Sequence, residues 1–289
     1  MTLKQVLSQA REILAANNIE DASLESELLL RHTLKISRVQ LYQDLSRKLS
    51  LEQEKTFWRL INRRLSGEPT AYITGHREFY GLDFYVAPGV LIPRPESELL
   101  VEKALQLAQS HFIATIADIG TGCGAIAISL ALNLPRTKVY ATDISASALE
   151  VALVNCRKHG VADRICLLHG DMLAPLPEPV DLIVANLPYV KKLEVSQMGL
   201  ANFEPQLALN GGRDGLEKMR QLCQQAGSKL RPQGCLLLEI GQGQGKAVTA
   251  FLRRVFPSVV AEITPDLSGI ERMVSLCLTH NHLDAKLGN

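Results

Sequence analysis

Asp118-Ile119-Gly120-Thr121-Gly122-Cys123-Gly124 is the stretch on which the reading of the fold turns. Residues 115–119 read as a strand, and residues 125–133 are largely apolar and alanine-rich like a helix. Glycines at a strand-to-helix junction let the backbone turn tightly and approach a ligand, and the opening of the helix favours a negative group. The glycines alternate as GxGxG, whereas the dinucleotide fingerprint reads GxGxxG, which disfavours a nicotinamide-dependent dehydrogenase even though it would share the sheet. Taken alone, the same loop also suits a tight turn with no ligand.

Working outward, the strand-then-helix rhythm continues. Residues 138–142, 164–168, 182–185 and 235–240 read as strands, residues 145–159, 216–230 and 244–255 as helices, and residues 259–264 and 272–278 are β-rich. Such alternation implies a Rossmann-like α/β domain with a mostly parallel sheet covered by helices on both faces. Upstream the pattern is helical. Leu3, Val6, Leu7, Ala10, Ile13 and Leu14 form one stripe, and a second helix is expected over residues 24–34. Ser50 and Gln53 make a capping box before Phe57, Leu60, Ile61 and Leu65, and Gly67-Glu68-Pro69 stops that helix. Around Gly81 the period changes to two, with Leu82, Phe84 and Val86 facing one way and Asp83 and Tyr85 the other, as in a hairpin. Pro88, Pro93 and Pro95 then hold an extended connector. The expected organisation is a helical bundle over residues 1–75, a β-hairpin linker over 76–95, and an α/β domain over 96–289.

Thirty-one basic against 30 acidic side chains give a net charge of +1, so no global field attracts nucleic acid or an anionic membrane. The N-terminal MTLKQVLSQAREIL carries charges through its apolar positions, unlike a signal peptide, and the uncharged run 119–135 is broken by Gly120, Gly122 and Gly124, unlike a membrane span. A cytoplasmic protein with no metal is expected, and a monomer. The cysteines Cys123, Cys156, Cys166, Cys223, Cys235 and Cys277 show no zinc-ligand spacing and read as reduced core thiols.

Three further positions carry chemistry. Asp143 ends the strand after the glycine loop, where an acidic residue accepts hydrogen bonds from ribose hydroxyls; capping the helix near Ser145 is the other reading. Asp171 and Met172 close the third strand, where a carboxylate could accept from an adenine amino group and a thioether could give a soft apolar face, or they form only a turn. Asn186-Leu187-Pro188-Tyr189 follows the fourth strand directly, at the strand end where open α/β sheets gather ligands.

That turn resembles the Asn-Pro-Pro-Tyr motif of methyltransferases acting on planar NH2 groups, either glutamine amides or the exocyclic nitrogen of adenine. Such a nitrogen is a poor nucleophile because its lone pair is delocalised. The Asn186 side-chain oxygen and a backbone carbonyl of the turn would hold both N–H bonds and aim the lone pair at a sulfonium methyl, with Tyr189 stacking on the flat group. Leu187 replaces the first proline of the motif, while Pro188 still restrains residue 187 to extended conformations. Asn-Leu-Pro-Tyr also occurs in ribosomal RNA adenine dimethyltransferases, so the turn alone does not choose the substrate.

The linker does. Gly67 to Gly75, Glu78-Phe79-Tyr80-Gly81 and Leu91-Ile92-Pro93-Arg94-Pro95-Glu96-Ser97-Glu98 resemble the linker of the release factor glutamine N5-methyltransferases, with Ser97 for the usual threonine. Pro265 to Arg272 is similar to that family's Asp-Leu-x-Gly-x-x-Arg segment. The resemblance implies a class I methyltransferase fold with a seven-stranded, mostly parallel sheet. It implies S-adenosyl-L-methionine held by Gly120, Thr121, Gly122, Cys123, Gly124, Asp143, Asp171, Met172 and Asn186. It also implies a glutamine received by Asn186, Leu187, Pro188 and Tyr189, with Asn186, Pro188 and Tyr189 as the catalytic set. The implied substrate is the Gly-Gly-Gln glutamine of class I peptide chain release factors, held partly by the helical domain. An N6-adenine methyltransferase acting on DNA or RNA is the alternative, disfavoured by the charge balance, and a non-catalytic binding module is a third.

Overall fold

A computed structural model of the chain describes residues 1–195, 197 and 203–278. The backbone divides into two compact units, Met1–His76 and Arg77–Asn289. The first contains α1 (Leu3–Ala16), α2 (Ala22–Leu34), α3 (Arg38–Gln43), α4 (Leu51–Leu65) and α5 (Thr70–Thr74). Of the stripe read from the sequence, Leu3, Val6, Ala10 and Leu14 enter the core with Leu29, Leu30, Leu41, Phe57, Leu60 and Ile61, while Leu7 and Ile13 are half-buried at its edge. The Ser50–Gln53 capping box forms, and two others, Thr2–Gln5 and Ser37–Gln40, open α1 and α3. Each satisfies two of the amide hydrogens that a helix start leaves unpaired.

Strands β1 (His76–Phe79) and β2 (Leu82–Tyr85) form the hairpin. A 3-10 turn over Pro95–Ser97 leads into α6 (Glu98–Ser110), a helix the sequence reading passed over although Leu100, Val101 and Ala104 are buried along it. Then follow β3 (Thr115–Ile119), α7 (Ala125–Asn133), β4 (Lys138–Asp143), α8 (Ala146–Lys158), β5 (Ile165–His169) and β6 (Val180–Ala185). The short helices α9 (Lys192–Val195) and α10 (Gln206–Leu209) precede α11 (Glu217–Lys229), β7 (Leu230–Glu239), α12 (Gly245–Val255), β8 (Glu262–Pro265) and β9 (Glu271–Cys277).

The seven strands lie in the order β5-β4-β3-β6-β7-β9-β8. The first five run parallel and β9 is antiparallel to both its neighbours, which is the class I methyltransferase sheet. Every residue of β3 is buried, as a central strand covered on both faces must be. Among the described residues no helix is long and apolar enough to cross a membrane.

One expectation is corrected. Cys123, Cys156, Cys166 and Cys223 are free, but Cys235 and Cys277 are joined in a disulfide. The pairing comes from the sheet: β7 and β9 run antiparallel with these two residues opposite each other, their Cα atoms 4.1 Å apart. Cysteines 42 positions apart carry no local sign of such a partnership.

Candidate active site

Strand register assembles the site. Ile119 lies opposite Thr142 and Ala185, and Ala185 lies opposite Leu238. The residues that follow these four are Gly120, Asp143, Asn186 and Glu239, so the carboxyl edge of the sheet presents them as one row. From β3 the chain works outward through β4 to β5, then returns to place β6 on the other side, so β3 and β6 flank the topological switch point where such sheets bind ligands.

A cavity of about 330 Å3 opens at that point. Of the residues singled out in the sequence, Gly120, Gly122, Asp143, Asp171, Met172, Asn186, Leu187 and Pro188 line it. Thr121, Cys123, Gly124 and Tyr189 do not form its wall. Leu91, from the linker motif, also lines it, and Gly89, Val90, Ile144, Leu207 and Lys218 do so without having been singled out.

The loop after β3 shows why its glycines alternate. Gly120, Gly122 and Gly124 take φ of 72°, 56° and 85°, conformations that a side chain strains. A Cβ on Gly124 would come within 3.1 Å of Ile128 Cδ1, and Gly120 sits against Leu187 and the Asn186 carbonyl. Asp143 fastens the loop, its Oδ2 accepting from Gly122 N at 2.9 Å and its Oδ1 from Ser145 N at 2.9 Å. Ser145 is the N-cap of α8, accepting from Ala148 N, so Asp143 is left to face the cavity. At the loop's base Thr121 Oγ1 donates to Asp118 Oδ2 at 2.6 Å, and burial pushes the Asp118 carboxyl up to about 6. Asn155, fully buried, donates to the Cys123 carbonyl at 2.8 Å and bonds both backbone polar groups of Tyr85, tying the hairpin to the loop. Burial pushes the Cys123 thiol up to about 12, so it stays a thiol and no nucleophile. Asp171 Oδ2 accepts from Gln221 Nε2 at 2.6 Å, and Met172 holds φ at 50°.

The turn after β6 is held by side chains. Asn186 Nδ2 donates to Ser97 Oγ at 2.8 Å, and Ser97 Oγ donates to Glu239 Oε2 at 2.6 Å. The Tyr189 hydroxyl donates to Glu239 Oε1 at 3.3 Å, and its carbonyl accepts from Gln244 Nε2 at 3.0 Å. Tyr189 thus stands beside the cavity with its hydroxyl committed to Glu239. Burial raises the Tyr189 phenol to about 12, helped by the neighbouring Glu239 charge. It also raises Glu239 to about 7, against the lowering effect of the hydrogen bonds from Ser97 and Tyr189. Since Asn186 turns its NH2 toward Ser97, Oδ1 is the acceptor this side chain keeps for a ligand.

Residues 5–75 match the family described as PrmC N-terminal domain, and residues 95–206 the family described as Methyltransferase small domain. A release factor glutamine methyltransferase of Moorella thermoacetica is 46% identical over 274 residues, covering 94% of this chain and 97% of that protein. One from Koribacter versatilis is 39% identical over 279 residues, covering 95% and 98%. The chain belongs to the release factor glutamine methyltransferase family. It is an enzyme of the methyltransferase class, and its fold is shared more widely. A T. thermophilus 16S rRNA N2 G1207 methyltransferase, solved with AdoMet and guanosine, superposes with a TM-score of 0.52 at 19% identity over 71% of this chain and 49% of that one.

In this methyltransferase the residues that sequence reasoning missed are those that hold others in place. Glu239 could have been found as the last residue of a central strand on the ligand-binding edge. Ser97 was visible only as part of a motif, and nothing local joins it to Asn186. The Arg94 guanidinium pairs with the buried Glu204, whose other oxygen accepts from Ile92 N at 3.0 Å, and this clips the proline-rich segment beside the cavity.

Proposed function

We propose that this enzyme transfers a methyl group from S-adenosylmethionine to the side-chain amide nitrogen, N5, of the glutamine in the Gly-Gly-Gln motif of class I peptide chain release factors. The observation that carries the reading is the orientation of Asn186: its NH2 is bound to Ser97, so its oxygen is free to accept an N–H. A carboxamide acceptor needs two such oxygens, and the Leu187 carbonyl supplies the second. Held by both hydrogens, the amide nitrogen keeps its lone pair directed away from the two acceptors, and their attraction grows as the nitrogen becomes positive.

The cavity fits an adenosine-bearing methyl donor. Asp143 spends one lone pair of each oxygen on the backbone and retains others for ribose hydroxyls. Gly120 and Gly122 expose main chain where a side chain would intrude, while Ile144, Met172 and Leu207 give apolar walls for a flat ring. Asp171 stands where it can accept from an exocyclic amine, and Gln221 fixes its carboxylate. When bound, S-adenosylmethionine supplies an electrophilic methyl on a sulfonium. Thr121, Cys123 and Gly124 belong to the loop that holds the cofactor, and Pro188 to the turn that receives the glutamine.

The helical unit, residues 1–75, contributes to holding the release factor, and residues 76–95 link it to the catalytic domain of residues 96–289. The enzyme works on a protein in the cytoplasm. The test is methyl transfer with a release factor and nucleic acid offered side by side, followed by mass spectrometry of the protein. A methyl group on the Gly-Gly-Gln glutamine is expected. Label in the nucleic acid instead would overturn the assignment in favour of adenine.

A further inference from the structure

Asn186 has two faces that differ only in which atom is oxygen and which is nitrogen, and catalysis as proposed above needs one of them. Nothing in the backbone of the turn distinguishes the two. The distinction comes from Ser97 and Glu239, which come from the 3-10 turn before α6 and the tip of β7. Register puts Glu239 beside Asn186 in the row of strand tips, because Ala185 lies opposite Leu238. Both Ser97 and Glu239 are 3% exposed, so water does not compete for their hydrogen bonds.

We propose that Ser97 and Glu239 are positioning residues for methyl transfer: the Glu239 carboxylate fixes the direction of the Ser97 hydroxyl, and that hydroxyl fixes which edge of the Asn186 amide faces the acceptor nitrogen. This rests on the reading of Asn186 as the amide-binding residue. A serine has one proton to donate. Glu239 Oε2 takes it at 2.6 Å, which leaves only lone pairs of Oγ facing Asn186 at 2.8 Å. The NH2 edge is attracted to those lone pairs. The flipped amide would set two oxygens against each other with no proton between them, and inside a buried network that is costly.

The relay has a direction only while Glu239 is ionised. The charged and titratable groups facing it are Glu96 from the 3-10 turn, which raises its pKa, Arg272 from β9, which lowers it, and Tyr189 from the turn after β6, whose hydroxyl also lowers it. Burial outweighs the lowering contributions and brings the group to about 7. Above that pH the carboxylate accepts from Ser97. Below it the carboxyl can donate to Oγ, the serine proton is displaced toward Asn186, and the amide loses its preference.

The experiment measures kcat, KM for the release factor and S-adenosylmethionine affinity for the wild type, Ser97→Ala, Ser97→Thr and Glu239→Gln. Ser97→Ala is expected to lose about 10- to 100-fold in kcat, with KM and cofactor affinity within about three-fold. Ser97→Thr keeps the hydroxyl and restores most of the rate. The wild-type kcat falls as pH drops through about 7, whereas Glu239→Gln is slower at high pH and lacks that acid limb. A second arm follows the side-chain 15N resonance of Asn186, assigned by its loss in Asn186→Asp. Its NH2 hydrogens should exchange with water faster in Ser97→Ala than in the wild type.

Wild-type kcat in Ser97→Ala, equal impairment in Ser97→Thr, or an unchanged acid limb in Glu239→Gln each overturns the relay. Should Ser97→Ala fail to bind cofactor, the Glu239→Gln pH profile decides. A wild-type enzyme that leaves the release factor unmethylated sinks the substrate assignment instead, and the exchange rate of the Asn186 amide then decides the relay separately.

Discussion

On the β3–β4 side of the switch point the site is made of main chain: three glycines at positive φ, with the loop tied to Asp143 through a backbone amide. On the β6–β7 side it is made of side chains, Asn186 on Ser97, Ser97 on Glu239, and Tyr189 on Glu239. The first side is contiguous in sequence apart from one aspartate. The second collects residues 89 and 142 positions apart. A ligand common to many enzymes can be met by backbone shape, whereas a weakly nucleophilic amide must be held by atoms of defined donor and acceptor character. Changes on one side should therefore act on cofactor affinity, and changes on the other on the rate of transfer.

The largest effect should come from Asn186→Ala, because the proposed function makes its oxygen an acceptor that strengthens in the transition state. A loss of about 100- to 1,000-fold in kcat is expected, with cofactor affinity within about three-fold. Equal turnover in that variant would erase the contrast between the two sides. Asp143→Ala should weaken S-adenosylmethionine binding by about ten-fold or more while the transfer step at saturation changes less, since the variant loses the grip on Gly122 and, on the proposed function, the acceptors for the ribose hydroxyls. Calorimetry showing unchanged affinity would break the contrast from the other end.

Gly124→Ala comes next, costing about 1–2 kcal/mol of stability for a side chain at positive φ. Thermal unfolding measures it, and a variant as stable as the wild type would show that the loop does not need its left-handed backbone. The smallest effect is a pH dependence. The Asp118 carboxyl is raised to about 6, so its contribution is fully present below its unfolded pKa and is lost as pH rises through about 6. The difference in melting temperature between wild type and Asp118→Asn should move in the wild type's favour on acidification from about pH 8 to about pH 5. A difference flat across that range would mean the carboxyl is not held neutral.

Much of the fold was legible because it follows from neighbours in the chain. The helix over 125–133, the strand before the glycine loop and the Ser50 capping box are all set by periodicity or by contacts within one turn. The start of helix α6 carries no capping signal, since Ser97 makes no side-chain cap bond there and the prolines just before it read as extended chain, although Leu100, Val101 and Ala104 form its buried stripe. The short α3 and α5 offer too few residues for a period to show. At the site, Asp143 and Asn186 could be named from their places at strand ends. Tyr189 was expected over the acceptor, and only the structure shows its hydroxyl engaged with Glu239.

The sequence by itself determined the alternating glycines, the acidic residue that follows them, the polar turn after β6 and the family these motifs mark, since each depends on a few consecutive residues and the backbone they permit. The tertiary structure decided which edge of Asn186 is free, which carboxylate stands behind it, and that Cys235 meets Cys277. Those outcomes depend on strand register, and register is fixed by the burial of whole sheet faces, which no short stretch of chain encodes.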